Sequence, residues 1–390
     1  MKAAGQRIHK SLRGWPYHKV FLTGATGLIG GHLLHELLRL PQVEEVLCLV
    51  RPSGDQTGAE RLKRRLKRAG VKGKKLDEAM SRVRAADGNI TEELWQLVKE
   101  DLAWIRQEAE LFIHCAASTS FVDSESCEAI NVRGTRHLVD VVRGAKGLKK
   151  LVHFSTATIC GFRPNTVLKE EDALVGESHH LFAYTRTKAE AERILWAAED
   201  ELPPLLVLRP SITLARGTRD RKHARLFLWS FIAMAQLPYV PVRMDSLTDV
   251  VTLDFVVNCT MRLIAKGDKL KYSCYHLTAG KENAAHGAEA YDLLVSSSTK
   301  RELPKAVPPE EWDESHQRAI VEQGLQSLYE AVHLYLPFLN LNLVYDNSRL
   351  IEELGDDLPH LAKFNEYVTE MIATIDPELI MVSVKEGFGT

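Results

Sequence analysis

In the stretch YTRTK, Tyr184 and Lys188 stand four residues apart. On a helix that spacing puts a phenol and an ammonium on one face. A cation beside a phenol stabilises the phenolate and pulls the pKa down from about 10, so Tyr184 can serve as a general acid or base at working pH. Upstream, HFSTATICG sets Ser155 and Thr156 at the end of an apolar run. A hydroxyl there can donate to a carbonyl oxygen as it gains charge. A YxxxK pair alone arises by chance. A hydroxyl-bearing strand end followed by that pair is a proton-handling set suited to a carbonyl.

A second group lies near the start of the chain. VFLTGATGLIGGHLL places Gly24, Gly27 and Gly30 within seven positions, between an apolar run and a helix-like one. Glycine weakens both elements, so the bare backbone must serve a purpose. Gly24 permits a tight turn, Gly27 lets a pyrophosphate approach the main chain, and Gly30 lets the helix pack on the strand. The helix start then offers its amides to the anion, with Thr23, Thr26, Leu28 and Ile29 completing the turn. The next apolar run ends CLVRPS. An acid at that place would bind a ribose 2′-hydroxyl, whereas an arginine suits a 2′-phosphate. The chain has Arg51 there and no acid before Asp55. A guanidinium matches phosphate oxygens, so NADPH is the expected cofactor. Arg61, with Lys63 and Arg64, could add charge from the following helix, although such residues also make an ordinary solvated face.

The elements that must position these groups alternate. Apolar strand-like runs (HKVFLTG, VEEVLCLVRP, AELFIHCAAS, LKKLVHFST, PPLLVLRPSIT) are separated by helical patterns such as GGHLLHELLRLP, GAERLKRRLKRAG, NVRGTRHLVDVVRGA and AYTRTKAEAERILWAAE. That alternation predicts parallel βαβ units and an α/β fold, a doubly wound parallel sheet of Rossmann type. A basic leader is expected over 1–18 and the dinucleotide-binding domain over 19–280. A smaller, mostly helical substrate-covering domain follows over 281–390, with 214–248 contributing to the substrate region. The apolar stretch RLFLWSFIAMAQLPYV reads as a core helix or as the lining of an acyl pocket.

Bulk properties fit an enzyme of this kind. The chain has 390 residues, 45% hydrophobic and 26% charged, with a net charge of −2. That balance argues against a nucleic-acid partner. The six cysteines form no CxxC pair and no histidine spacing suggests a metal, so reduced thiols, a cytoplasmic location and no metal site are expected. No run is long enough to span a bilayer, which leaves peripheral membrane contact through the 226–240 stretch as the only membrane association expected.

Over roughly residues 19–280 the chain resembles the extended short-chain dehydrogenase/reductases. The resemblance rests on TGATGLIG, HCAAS, NVRGT (131–135), the Ser-Thr pair at 155–156, YTRTK and LRPSI (208–212). It implies a catalytic triad of Thr156, Tyr184 and Lys188, with Thr156 preferred to Ser155. It also implies that Asp87 lies by the adenine and that Ala116 and Ala117 line the nicotinamide side. Asn131, Lys188, Pro210 and Ile212 are implied to complete the cofactor site. More narrowly, TGATGLIGGHLLHELLR, IHCAASTSF and YTRTKAEAE resemble the acyl-thioester reductases, which include fatty acyl-CoA reductases and terminal reductase domains of nonribosomal peptide synthetases. Leu28 departs from the phenylalanine frequent in the first of these. The implied substrate is an acyl thioester, reduced by NADPH to an aldehyde or onward to an alcohol. No adenylation or carrier segment is legible, so the acyl group is expected on CoA or on a separate carrier protein. The rival expectations are an extended reductase of ketones, hydroxysteroids or sugar nucleotides, and a regulatory protein of the same fold. Arg51 speaks against the sugar-nucleotide version, and retention of both Tyr184 and Lys188 against the regulatory one.

Overall fold

In the computed structural model, residue 12 and residues 14–121, 123–174, 179–215, 233–297, 304–333 and 335–372 are described. Seven strands build the central sheet: β1 (Lys19–Thr23), β2 (Glu45–Val50), β3 (Val83–Asp87), β4 (Leu111–His114), β5 (Lys150–Phe154), β6 (Leu205–Pro210) and β7 (Cys274–Leu277). Their order is β7-β6-β5-β4-β1-β2-β3, and every pairing is parallel. The order reverses direction at β1, between β4 and β2, which opens a crevice at the strands' C-terminal ends. The doubly wound sheet expected from the alternating pattern is therefore present.

Side chains along each strand alternate between two cores. Val20 and Leu22 join one with Leu33, Leu37, Val46 and Cys48, while Phe21 joins the other with Leu47, Phe112, Leu138 and Leu151. A parallel sheet covered on both faces needs such continuous apolar runs, because both sides of each strand leave water. Helix α1 (Leu28–Leu38) follows the glycine turn and buries Leu33, Leu34, Leu37 and Leu38. Helix α2 (Gly58–Arg68) starts at a reciprocal cap. The Thr57 hydroxyl accepts from the Glu60 amide at 3.2 Å and the Glu60 carboxylate from the Thr57 amide at 2.9 Å. Helix α3 (Gly134–Val142) continues from a π-helical turn over Glu128–Arg133. Helix α4 (Ala183–Ala197) carries the YTRTK stretch.

Outside the central sheet, short strands pair in separate two-stranded sheets. Val250–Thr252 pairs with Ile212–Leu214, and Val344–Tyr345 pairs with Val167–Leu168. Lys305–Val307 pairs with Tyr239–Pro241. A separate small core unites Ala233, Met234, Leu237 and Val240 with Ile320, Leu328, Val332, Leu336 and Leu339. The described end of the apolar stretch, from Ala233, is thus core. Its remainder up to residue 232, like the leader up to residue 11, lies outside the described residues. Among the described residues no helix is long and apolar enough to cross a membrane, and no cluster of metal-ligating side chains occurs.

Candidate active site

The glycine turn closes as its sequence requires. Gly24 has φ +71°, and a Cβ there would fall 2.7 Å from the Ala116 amide nitrogen. A Cβ on Gly30 would lie 2.3 Å from the Gly24 carbonyl oxygen. Gly27 caps α1 with no side-chain hydrogen bond, and no acid occupies the first turn. Thr26, Gly27, Leu28 and Ile29 are partly exposed on this rim. The cradle is bare backbone at a helix N-terminus, which fits a pyrophosphate. Thr23 is fully buried, and its hydroxyl meets His114 Nδ1 at 2.9 Å and accepts from the Ala116 amide at 3.3 Å. It shapes the turn from beneath.

Sequence reasoning missed Arg65. Its side chain is 4% exposed and donates from Nε to the Gly27 carbonyl (3.0 Å) and from Nη2 to the Leu28 carbonyl (3.2 Å). A guanidinium thus sits under the turn and adds positive potential to it. The signal was available: Gly58, Leu62, Arg65 and Leu66 fall on one buried face of α2.

Arg51 follows β2 directly and is exposed, and the Arg61 guanidinium donates to its carbonyl oxygen. Asp87 ends β3 exposed, opposite Val50 in register. These three gather at one end of the crevice. At the other end, Ala116 and Ala117 follow β4, Pro210 ends β6 and Ile212 lies just past it. Asn131 is 2% exposed and its amide is fully engaged. The Asn131 oxygen accepts from the Ser118 amide at 2.9 Å, and its nitrogen donates to the Ser118 carbonyl (2.9 Å) and the Thr187 hydroxyl (3.0 Å). Asn131 therefore ties the loop bearing Ala116 and Ala117 to the helix bearing Tyr184 and Lys188.

Thr156 starts the turn after β5. Its hydroxyl pairs with that of Thr158 at 3.0 Å and reaches the Pro210 carbonyl at 3.4 Å, and it acts to lower the pKa of the Tyr184 phenol. Ser155 points elsewhere: its hydroxyl is buried without a partner among the described residues. Tyr184 lies in the first turn of α4, with its ring 6.3 Å from that of Phe121. Phe121 stacks on Phe182 at 4.6 Å and faces Tyr335 at 5.6 Å.

One expectation is corrected here. Burial raises the Tyr184 pKa to about 12, with the Thr156 hydrogen bond opposing it, so the phenol is not depressed by a neighbouring ammonium. The reason is where Lys188 points. Its Nζ donates to the Phe154 carbonyl at 2.6 Å and lies 3.4 Å from His153 Nε2. Burial in turn lowers the Lys188 pKa to about 8. A phenol held protonated is a proton donor, which suits the reductive direction.

Beneath α4, Arg209 of β6 grips Glu192 with both partners fully buried, the Nε–Oε2 distance being 3.1 Å. Arg209 also donates to the Glu170 carbonyl at 2.7 Å. The RPSI stretch thereby fixes the helix that carries the phenol and the ammonium.

A parallel sheet reversing at β1 and a glycine cradle at its first strand-helix turn mark the Rossmann-type fold of the extended short-chain dehydrogenase/reductases. The chain belongs to the male sterility protein family, whose pattern it matches over residues 22–260. It is 26% identical over 330 residues to fatty acyl-CoA reductase 1 of Homo sapiens, covering 74% of this chain and 62% of that protein. The terminal R domain of the myxalamid PKS-NRPS pathway superposes with a TM-score of 0.74 at 21% identity, covering 96% of this chain and 92% of that one. A thiolation-reductase di-domain from an archaeal non-ribosomal peptide synthetase superposes at 0.72 and 19% identity, covering 94% and 79%. The chain spans between 24% and 62% of the length of the first curated relatives it matches.

Proposed function

We propose that the chain reduces an acyl thioester, on CoA or on a carrier protein, with NADPH. The observation that carries the reading is the Tyr184 phenol, its pKa raised by burial, set against the Thr156 hydroxyl at the end of the sheet that bears the glycine cradle, in a family whose relatives include a fatty acyl-CoA reductase. The carrier option draws on the likeness to the thiolation-reductase di-domain.

The glycine turn and Arg65 would hold the pyrophosphate, Arg51 and Arg61 the 2′-phosphate, and Asp87 the adenine side. Ala116, Ala117, Pro210 and Ile212 would frame the nicotinamide, with Asn131 holding the Ala116–Ala117 loop in place, and Lys188 would hold its ribose. When bound, the reduced nicotinamide supplies hydride to the carbonyl carbon. Thr156 and Tyr184 donate to the carbonyl oxygen as it gains charge, and Tyr184 delivers a proton to it. The resulting hemithioacetal loses its thiol as the C–S bond breaks, leaving an aldehyde. A second round yields the alcohol. Positioning, with no covalent enzyme intermediate, lowers the barrier. Six free thiols, five of them buried, fit a cytoplasmic setting.

The test follows NADPH oxidation, released thiol and aldehyde or alcohol together, over a panel of acyl-CoA and acyl-carrier substrates. Thiol should appear in step with oxidised cofactor. Turnover of ketones with no thiol released from any thioester would replace this reading by that of a general carbonyl reductase.

A further inference from the structure

Thr23, His114 and His153 occupy one register row across the C-terminal ends of β1, β4 and β5. All three are buried. Their side chains fall on the face shared with Phe21, Phe112 and Leu151, where α4 packs. The rings form a stack. Trp95 lies on His114 with centroids 6.1 Å apart and planes 14° apart, and His114 lies on His153 at 5.4 Å and 17°. Trp95 itself is fully buried at φ +58°, between Leu94 and Gln96, which also have positive φ. A strained turn is thus retained where it fixes this stack. The stack ends at Lys188, with His153 Nε2 3.4 Å from its Nζ.

We propose that His153 is a positioning residue for Lys188: a neutral imidazole, clamped by the ring stack, whose Nε2 lone pair accepts from the ammonium and keeps it charged and aimed. This rests on the assignment of Lys188 to the working triad. Two neutral imidazoles buried in a sheet core are costly unless their polar atoms are used. His114 uses Nδ1 on Thr23, the residue that ends beneath the glycine turn. An ammonium can only donate, so His153 Nε2, 3.4 Å from Nζ, is the accepting nitrogen and the neutral ring carries its proton on Nδ1, which has no partner among the described residues. Burial and the Lys188 charge hold both imidazoles neutral, His114 at about 3 and His153 well below its ordinary value. They cannot compete with Lys188 for its proton.

The other groups facing Lys188 are few. Glu192 lies one turn along α4 and favours the ammonium, but it is bound to Arg209. The Cys115 thiol faces it from beyond β4 with its pKa pushed up by burial, and Tyr184 lies on its own helix. The Phe154 carbonyl and His153 Nε2 are therefore its uncharged acceptors, and only the second can be removed by substitution.

Two variants separate the roles. His153→Phe keeps the stacked ring and deletes the acceptor. His153→Gln deletes the ring and keeps an acceptor near the Nε2 position. Turnover against pH is read with whichever carbonyl the wild type reduces, and NADPH affinity against pH is read with no substrate at all. In the wild type both should fall as pH rises through about 8, where Lys188 loses its proton. Losing an acceptor lowers the pKa of a cation, so in His153→Phe both curves should fall about half to one pH unit earlier. His153→Gln should follow the wild type. Superposable curves for wild type and His153→Phe overturn the proposal, as does an equal shift in His153→Gln. If His153→Phe does not fold, His153→Asn, whose amide is too short to reach Lys188, takes its place with the same expected shift. Failure of the thioester reading alone leaves the NADPH curves unaffected, so the two ideas fail separately.

Discussion

Tyr184 is set against Thr156 with its pKa raised by burial, so its substitution tests the chemistry most directly. Tyr184→Phe keeps the ring against Phe121 and removes the proton. Acid catalysis is worth about 10²–10⁴ and one oxyanion donor about 10²–10³. These overlap, so turnover should drop about 10²–10⁴-fold while NADPH affinity and the thermal midpoint hold. Nearly full activity would remove the triad. Arg51→Asp addresses the cofactor: a charge-assisted hydrogen bond is worth about 1.5–3 kcal/mol, so NADPH should bind about ten- to several-hundred-fold more weakly. Equal wild-type affinity for NADH and NADPH would contradict a phosphate at Arg51. The glycines and the Tyr-Lys spacing were legible because each is a local pattern with one mechanical meaning. The direction of Lys188 was not. It depends on His153 and Phe154, which reach it only through the packing of α4 on β5.

At the level of elements, the first strand-turn-helix unit works through contact of backbone with backbone. Gly30→Ala would place a methyl 2.3 Å from the Gly24 oxygen and 2.8 Å from its carbonyl carbon. No flexible side chain can yield there, so the turn must open. A cost of about 1–3 kcal/mol in stability is expected, with at least a tenfold loss of NADPH affinity, read by chemical denaturation and by cofactor titration. An alanine variant that binds NADPH like the wild type would show that the cradle is not the cofactor site. Buried strands such as Lys150–Phe154 and Leu205–Pro210 declare themselves by unbroken apolar runs. Val83–Asp87 does not, since VRAAD is a half-buried edge strand whose apolar run is broken by Arg84. Its charge is matched only in three dimensions, by Glu45 and Asp101. The buried Arg209–Glu192 pair follows the same logic. Seventeen residues of separation make it invisible to local periodicity, yet it sets the height of α4 over the sheet.

For the molecule as a whole, the chain past the sheet is where sequence reading lost detail, because its pairings are long-range. Val344 and Tyr345 align with Val167 and Leu168 across nearly half the chain, and nothing in a two-residue strand announces its partner. Those pairings bring Tyr335 to the active-site side, with its ring 5.6 Å from Phe121. Phe121 stacks in turn on Phe182 and faces Tyr184. An aromatic line therefore runs from the C-terminal helices to the Tyr184 phenol, away from the Arg51 end of the crevice. If this line covers the acyl side of the site, Tyr335→Ala should weaken capture of the carbonyl substrate without touching the cofactor. An aromatic pair is worth about 0.5–1.5 kcal/mol beyond its buried area, which corresponds to a rise in KM of about two- to tenfold. The NADPH dissociation constant should stay at the wild-type value, and the thermal midpoint should move little because Tyr335 is only partly buried. Steady-state kinetics with a short and a long acyl thioester checks this, the longer chain being expected to suffer more. An unchanged KM for both, or a parallel loss of NADPH affinity, would mean that the C-terminal helices brace the fold and leave the acyl group to other walls.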